Sequence, residues 1–175
     1  GLIDADALTL AATQFTGVTP LTVQSSGLIP VNVTLPENDS VGVSRTVAVT
    51  QGGALEEVQI RLVLTPGNGI YAYYEDIEGV ITSPSGTTSR FLHPAGVEVP
   101  LKDPDFNSLA LDWTYTSNAF WGEDPTGTWT VTLFDRPYAG VYLQDVQIPW
   151  NSFEIITRTG DLIPIVRELA RELAI

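Results

Sequence analysis

Hydrophobic and polar positions alternate along most of the chain, which is the period of a β-strand and not of a helix. In residues 57–65 every second position is Val, Ile or Leu, while Gln59 and Arg61 fall on the opposite side. Such a run is typical of a strand in a sheet with one buried face and one face in water. Alternation and β-branched residues predict further strands, at residues 28–35, 43–50, 76–83, 87–92, 109–117, 128–134 and 141–148.

Clusters of Gly, Pro, Asn and Asp separate these predicted strands. These residue types preset φ or tolerate a positive φ, as tight turns require. The clusters lie at residues 65–69, 83–86, 103–105 and 124–127. About eight short strands divided by such turns predict an all-β fold, an antiparallel, jelly-roll-like β-sandwich.

The two ends of the chain depart from this pattern. Residues 161–175 place apolar residues at helical spacing behind Asp161 as N-cap and Pro164 in the first turn, which predicts a short C-terminal amphipathic helix. It would pack on the sandwich or dock another domain. We therefore expect three segments: an N-terminal linker at residues 1–27 with a short ordered piece near residues 8–15, a β-sandwich at residues 28–156, and a helical extension at residues 157–175.

Composition narrows the classes of function. The chain is 43% apolar and has no Cys, so it can form a sizeable core but no disulfide, thiolate nucleophile or Cys-type zinc site. Eight basic against 21 acidic residues give a net charge of −13, which disfavours nucleic acids and anionic membranes as partners. No apolar run is long enough for a transmembrane helix. The start lacks a signal peptide's basic region, so we expect an internal segment of a longer protein.

No catalytic group is indicated by the motifs. His93 is the single histidine, and no Gly–x–Ser–x–Gly nucleophile motif accompanies it. It is therefore expected to be a surface or packing residue, and the segment is expected not to be an enzyme by itself.

Calcium is the metal that the acidic residues favour, because Ca²⁺ prefers oxygen ligands. Asp103, Asp105 and Asp112 lie close in sequence and are the candidate ligands, with a solvated acidic loop as the alternative. A second acidic run occupies residues 75–78. Neither run fits an EF-hand loop, and no cofactor is required by either interpretation.

The most distinctive residues form two blocks. The first contains Trp113, Phe120, Trp121, Gly122, Glu123, Gly127 and Trp129, and the second contains Ser83, Pro84, Gly86 and Thr87. Physical chemistry assigns them to the fold: the three tryptophans are expected to bury their rings, the glycines to allow unusual backbone conformations, and Glu123 to accept hydrogen bonds from backbone N–H groups.

In this order and spacing, the two blocks resemble the P domain (P/Homo B domain) of kexin- and furin-like proprotein convertases and related bacterial secreted proteases. Gly140 and Leu143 resemble the start of that family's closing strand, although Trp150 lies later than the family pattern predicts. The resemblance covers roughly residues 40–156.

The resemblance implies a non-catalytic accessory domain of a secreted or cell-surface protease, of the subtilisin-like serine type. Its partner would be the adjacent catalytic domain, whose folding and stability it would assist, and the catalytic residues would lie outside this chain. The alternative is a β-sandwich that targets a secreted enzyme to its substrate or to carbohydrate. Exposed tyrosines are candidates for either contact, namely Tyr71, Tyr73, Tyr74 and Tyr138.

Overall fold

The computed structural model describes residues 4–14, 20–65, 74–94, 110–136 and 148–160, and they form two antiparallel β-sheets around one hydrophobic core. A one-turn 3₁₀ helix, Tyr74–Asp76, precedes the fifth strand. The elements are α1 Ala5–Gln14, β1 Thr22–Ser25, β2 Ile29–Thr34, β3 Val43–Val49, β4 Ala54–Leu64, β5 Ile77–Thr82, β6 Thr88–Leu92, β7 Leu111–Ser117, β8 Gly127–Asp135 and β9 Pro149–Gly160.

The first sheet has the order β1-β9-β4-β7, with β2 also paired to β9, and the second has the order β3-β8-β5-β6. The long strand β9 accommodates both short N-terminal strands along one edge, because β1 pairs with its C-terminal part and β2 with its N-terminal part. All of these pairings are antiparallel. The prediction of an all-β antiparallel sandwich is confirmed.

The core follows from the alternation in the sequence, since every second residue of β4 and β8 faces inward. Its largest members are aromatic: Phe120 meets Trp129 edge to face at 5.0 Å between ring centroids, and Trp150 lies 5.6 Å from Phe153. Edge-to-face pairs add stability beyond the area they bury. Trp150, whose late position departed from the family pattern, is thus a fully buried core residue.

Seven predicted strands correspond to β2 through β8, whereas most of the predicted strand at 141–148 lies outside the described residues. Strands β1 and β9 were not predicted. The first sheet starts at Thr22 and continues to Gly160, so it extends past 28–156 at both ends, and β1 lies within the predicted linker. Helix α1 occupies the region of the expected ordered piece.

The predicted C-terminal helix, residues 161–175, lies outside the described residues. Among the residues that are described, no helix combines the length and apolarity needed to cross a membrane.

Candidate functional site

The loop between β7 and β8, residues 118–126, is held against the start of β4. The Gly122 N–H donates to the Leu55 carbonyl at 2.7 Å, and the Leu55 N–H donates to the Glu123 carbonyl at 2.9 Å. Gly122 has a φ of +81°, a conformation that costs other L residues roughly 1–2 kcal/mol. The reciprocal hydrogen bonds and this glycine fix the loop in one position.

The side chain of Glu123 joins this loop to the turn at residues 83–87. Its Oε2 accepts hydrogen bonds from the hydroxyls of Ser83 at 2.8 Å and Ser85 at 2.7 Å. Burial alone would raise the pKa of Glu123, but hydrogen bonds from Thr87, Ser85 and Ser83 outweigh burial and lower that pKa. The expectation that Glu123 accepts from backbone N–H groups is wrong: its carboxylate binds hydroxyls from the other sequence block.

Gly127 brings the same two blocks into direct contact. Its φ is +132°, and a Cβ at this position would lie 2.8 Å from Cβ and 3.0 Å from Cγ of Pro84. Neither the conformation nor the space admits a side chain without movement. The Pro84 ring therefore packs directly on the backbone of Gly127 at the start of β8. This contact gives both signature residues a structural role.

The three tryptophans of the signature have different environments. Trp129 is fully buried, and its indole N–H donates to the Pro125 carbonyl at 2.8 Å. Trp113 is 61% exposed and Trp121 is 70% exposed, so the expected burial of these two rings is wrong. Trp113 lies on β7, which among the described residues is the last strand of the first sheet, and Trp121 lies in the loop. Sequence periodicity does not reveal which strand is at an edge, so it could not separate these rings from Trp129.

Trp121 belongs to a small exposed surface that sequence reasoning missed. Its indole N–H donates to Oε2 of Glu56 at 3.1 Å. A Cβ on Gly160 would lie 3.3 Å from both Glu56 Oε1 and Leu21 Cδ2, so the Leu21 side chain lies near the Glu56 carboxylate. Val23, two residues along β1, is also exposed. We call Leu21, Val23, Glu56 and Trp121 the Trp121 patch.

The predicted calcium ligands are only partly described. Asp103 and Asp105 lie outside the described residues. Asp112 forms two 2.8 Å hydrogen bonds with Arg61, to Nε and Nη2, and this contact with Arg61 lowers the pKa of the Asp112 carboxyl. A cation at Asp112 would have to compete with the bidentate ion pair. The calcium site stays a prediction.

Glu78, from the second acidic run, is a buried carboxylate with two arginine partners. Its Oε1 is 2.9 Å from Nε of Arg90, and its Oε2 is 2.8 Å from Nε of Arg136. The hydrogen bond from Arg136, with the charges of Arg136, Arg90 and His93, outweighs burial and lowers the pKa of Glu78. The guanidinium of Arg136 also lies 4.1 Å from the ring centroid of Phe134. Through these ion pairs Glu78 on β5 is linked to Arg90 on β6 and to Arg136, which directly follows β8.

Two other candidate groups were placed by the structure. His93 is exposed and directly follows β6. Tyr74, expected to be exposed, is buried, and burial raises its pKa to about 12; Tyr71, Tyr73 and Tyr138 lie outside the described residues. Within the described ranges, no group of three His, Asp or Glu side chains is placed to hold a metal ion.

Comparison with known proteins places this arrangement in context. The profile of the family described as the proprotein convertase P-domain matches residues 55–148. Mouse proprotein convertase subtilisin/kexin type 4 is 31% identical over 121 residues, which are 69% of this chain and 16% of that protein. Rat furin is 30% identical over 152 residues, 81% of this chain and 17% of furin.

A solved structure shares the fold. The serine protease of Aeromonas sobria, in its complex with a chaperone, superposes with a TM-score of 0.65 at 20% identity, over 93% of this chain and 31% of the protease chain. The chain thus spans about a sixth of the length of the curated relatives and about a third of the Aeromonas protease.

Proposed function

Because the chain belongs to the proprotein convertase P-domain family, we propose that it is a non-catalytic accessory domain of a subtilisin-like serine protease and assists the folding and stability of the adjacent catalytic domain. The observation that carries the proposal is the family match over residues 55–148, which includes both signature blocks. The protease's nucleophile and base would lie outside this chain.

The roles of the signature side chains support this proposal. Glu123 holds the serine hydroxyls of a turn, and Trp129 fills the core, so both act in the fold of the sandwich. A rigid domain that binds only the native form of its neighbour stabilises that form by mass action. A tether raises the effective concentration to the millimolar range. With a dissociation constant in the micromolar range, the gain is about 4 kcal/mol.

The test is the thermal inactivation half-life of the parent protease with and without residues 20–160, at low and at millimolar Ca²⁺. We expect deletion to shorten the half-life or lower the folded yield, while the specificity of cleavage in short peptides is kept. An unchanged half-life with lost activity on insoluble substrate would contradict the proposal and indicate the targeting function. A difference between the two calcium concentrations that requires Asp103 and Asp105 would support the predicted calcium site.

The compartment follows from the same family argument, and secretion or display at the cell surface is the proposal. The net charge of −13 agrees with it, since acidic surfaces remain well hydrated and do not attract nucleic acid. Fractionation of the producing cells, with an antibody against residues 20–160, tests this directly. Recovery of the parent protein in the cytosol alone would contradict it.

A further inference from the structure

Helix α1 buries none of its residues against the rest of the structure. Six of its ten residues are Ala or Leu, Asp6 is its one charged residue, and Leu8 and Leu10 are 63% and 59% exposed. Asp4 caps its N-terminus by accepting hydrogen bonds from the N–H groups of Asp6 and Ala7, both at 3.0 Å. Isolated helices shorter than about 12–15 residues are marginal in water even when capped. Helix α1 therefore needs a packing surface that the described sandwich does not provide.

The Trp121 patch has the properties of a prepared contact surface. The indole N–H is already bonded to Glu56, so a partner that covers the ring leaves no buried donor unpaired. The hydrogen bonds of Gly122 and Glu123 with Leu55 hold the loop in place, so little conformational freedom is lost on binding. Trp side chains in rigid, central positions are typical of interface hot spots.

The chain geometry brings α1 and the patch to the same partner. Residues 15–19 separate the end of α1 from Pro20, and an extended chain spans at most about 3.5 Å per residue. The end of α1 therefore lies within about 25 Å of Leu21, which is itself part of the patch. A small folded domain is about 30 Å across, so a single domain is large enough to pack on α1 and on the patch together.

We propose that α1 and the Trp121 patch together form the surface on which the catalytic domain docks, with Trp121 as its central anchor. The inference rests on the proposed function, because it names the face through which that function acts. The contact is apolar at its centre, from Leu21, Val23 and the indole ring. Its tether is the N-terminal segment that leads from α1 into β1.

Hydroxyl-radical footprinting tests the contact, with oxidation read by mass spectrometry in the full-length parent protease and in the 175-residue chain. Trp113 is the matched control, because it is another exposed indole and lies on β7, outside the loop that carries Trp121. We expect Trp121 and the Leu8–Leu10 region to lose most of their oxidation in the parent, while oxidation of Trp113 is unchanged. Equal oxidation of Trp121 in both proteins overturns the inference.

Two matched variants of the parent measure the energetic consequence. Trp121→Ala is expected to raise the rate of thermal inactivation by about thirtyfold, the low end for an interface hot spot, and Trp113→Ala is expected to leave it unchanged. If Trp113→Ala has the larger effect, the docking face lies at the β7 edge and the inference is wrong. Deletion of residues 20–160 judges the accessory function separately, since it can shorten the half-life even when Trp121→Ala does not.

Discussion

The contact between Gly127 and Pro84 gives a quantitative test of how the signature builds the fold. The perturbation is Gly127→Ala, and its control is Gly86→Ala. Both glycines have positive φ, +132° and +93°, but a Cβ on Gly86 meets nothing within 4 Å, whereas a Cβ on Gly127 lies 2.8 Å from Cβ of Pro84. Both substitutions strain the backbone, and only Gly127→Ala adds a steric overlap.

The expected magnitudes follow from these two contributions. A positive φ costs an L residue roughly 1–2 kcal/mol, and this is the whole expected loss for Gly86→Ala. Overlap with a rigid ring adds about 1–3 kcal/mol, as overpacking usually does. The loss for Gly127→Ala is therefore about 2–5 kcal/mol. The difference between the variants corresponds to about 2–12 °C in melting temperature for a chain of this size.

Urea unfolding of the 175-residue chain measures both losses, because the buried indoles of Trp129 and Trp150 report the opening of the core by fluorescence. The slope of the free energy of unfolding against urea should be the same in wild type and both variants. Pro84→Gly removes both atoms of the overlap. In that background Gly127→Ala is expected to cost no more than Gly86→Ala costs in the wild type.

Two results would refute this reasoning. Equal losses for Gly127→Ala and Gly86→Ala would mean that the loop moves away from Pro84 at no cost, so the packing of the two blocks would not specify the fold. Additive effects of Pro84→Gly and Gly127→Ala would show that the two sites do not interact in the native state.

Three further predictions concern the charged cluster and the tryptophans. The pKa values of Glu78 and Glu123 are lowered in the folded chain. The two ionised carboxylates therefore stabilise the fold above the ordinary carboxyl pKa of about 4.3, and this contribution is lost as the pH falls through their folded-state pKa values. A free energy of unfolding that does not fall below about pH 4.3 would contradict this. Glu78→Gln should lower the free energy of unfolding by about 2 kcal/mol at pH 7, because Arg136 and Arg90 lose their charged partner. It should also make the free energy of unfolding depend less on pH in acid, and urea titrations at several pH values measure both effects. Trp129→Ala should cost about 3–5 kcal/mol while Trp113→Ala stays within about 0.5 kcal/mol, and similar losses for the two would refute the burial difference between them.

The alternation of apolar residues was sufficient to predict β2 through β8, because more buried and less buried positions alternate along most of these strands. Strand β1 escaped prediction because four residues, Thr22–Ser25, are too few to show a period. Strand β9 escaped it because Pro149 opens the strand and Trp150 and Phe153 lie on either side of a register shift. Local sequence does not encode such a shift, which arises only when β9 pairs with β4.

Side-chain contacts were predictable only where they are local. The turn at residues 83–87 and the glycines of the signature follow from backbone chemistry. The hydroxyls that bind Glu123 come from about 40 residues away in sequence, and Glu56, the acceptor for Trp121, is 65 residues distant. Pairings of this kind depend on the sheet order, which one sequence does not give. The predictions that Trp121 is buried and that Tyr74 is exposed were wrong for the same reason.

Within the signature, Trp121 differs from its neighbours in what the fold gains from it. Gly122, Glu123 and Gly127 each make a contact that the sandwich requires, and Trp129 fills its core. The Trp121 side chain is 70% exposed, so it removes little apolar area from water on folding and contributes little to stability. A large exposed aromatic side chain also adds to the risk of aggregation. The loop nevertheless holds this ring against Glu56, through a hydrogen bond from the indole N–H. The contacts of Gly122 and Glu123 inside the sandwich explain why the loop is fixed, but only a contact with a partner explains why a large aromatic ring is kept exposed on it.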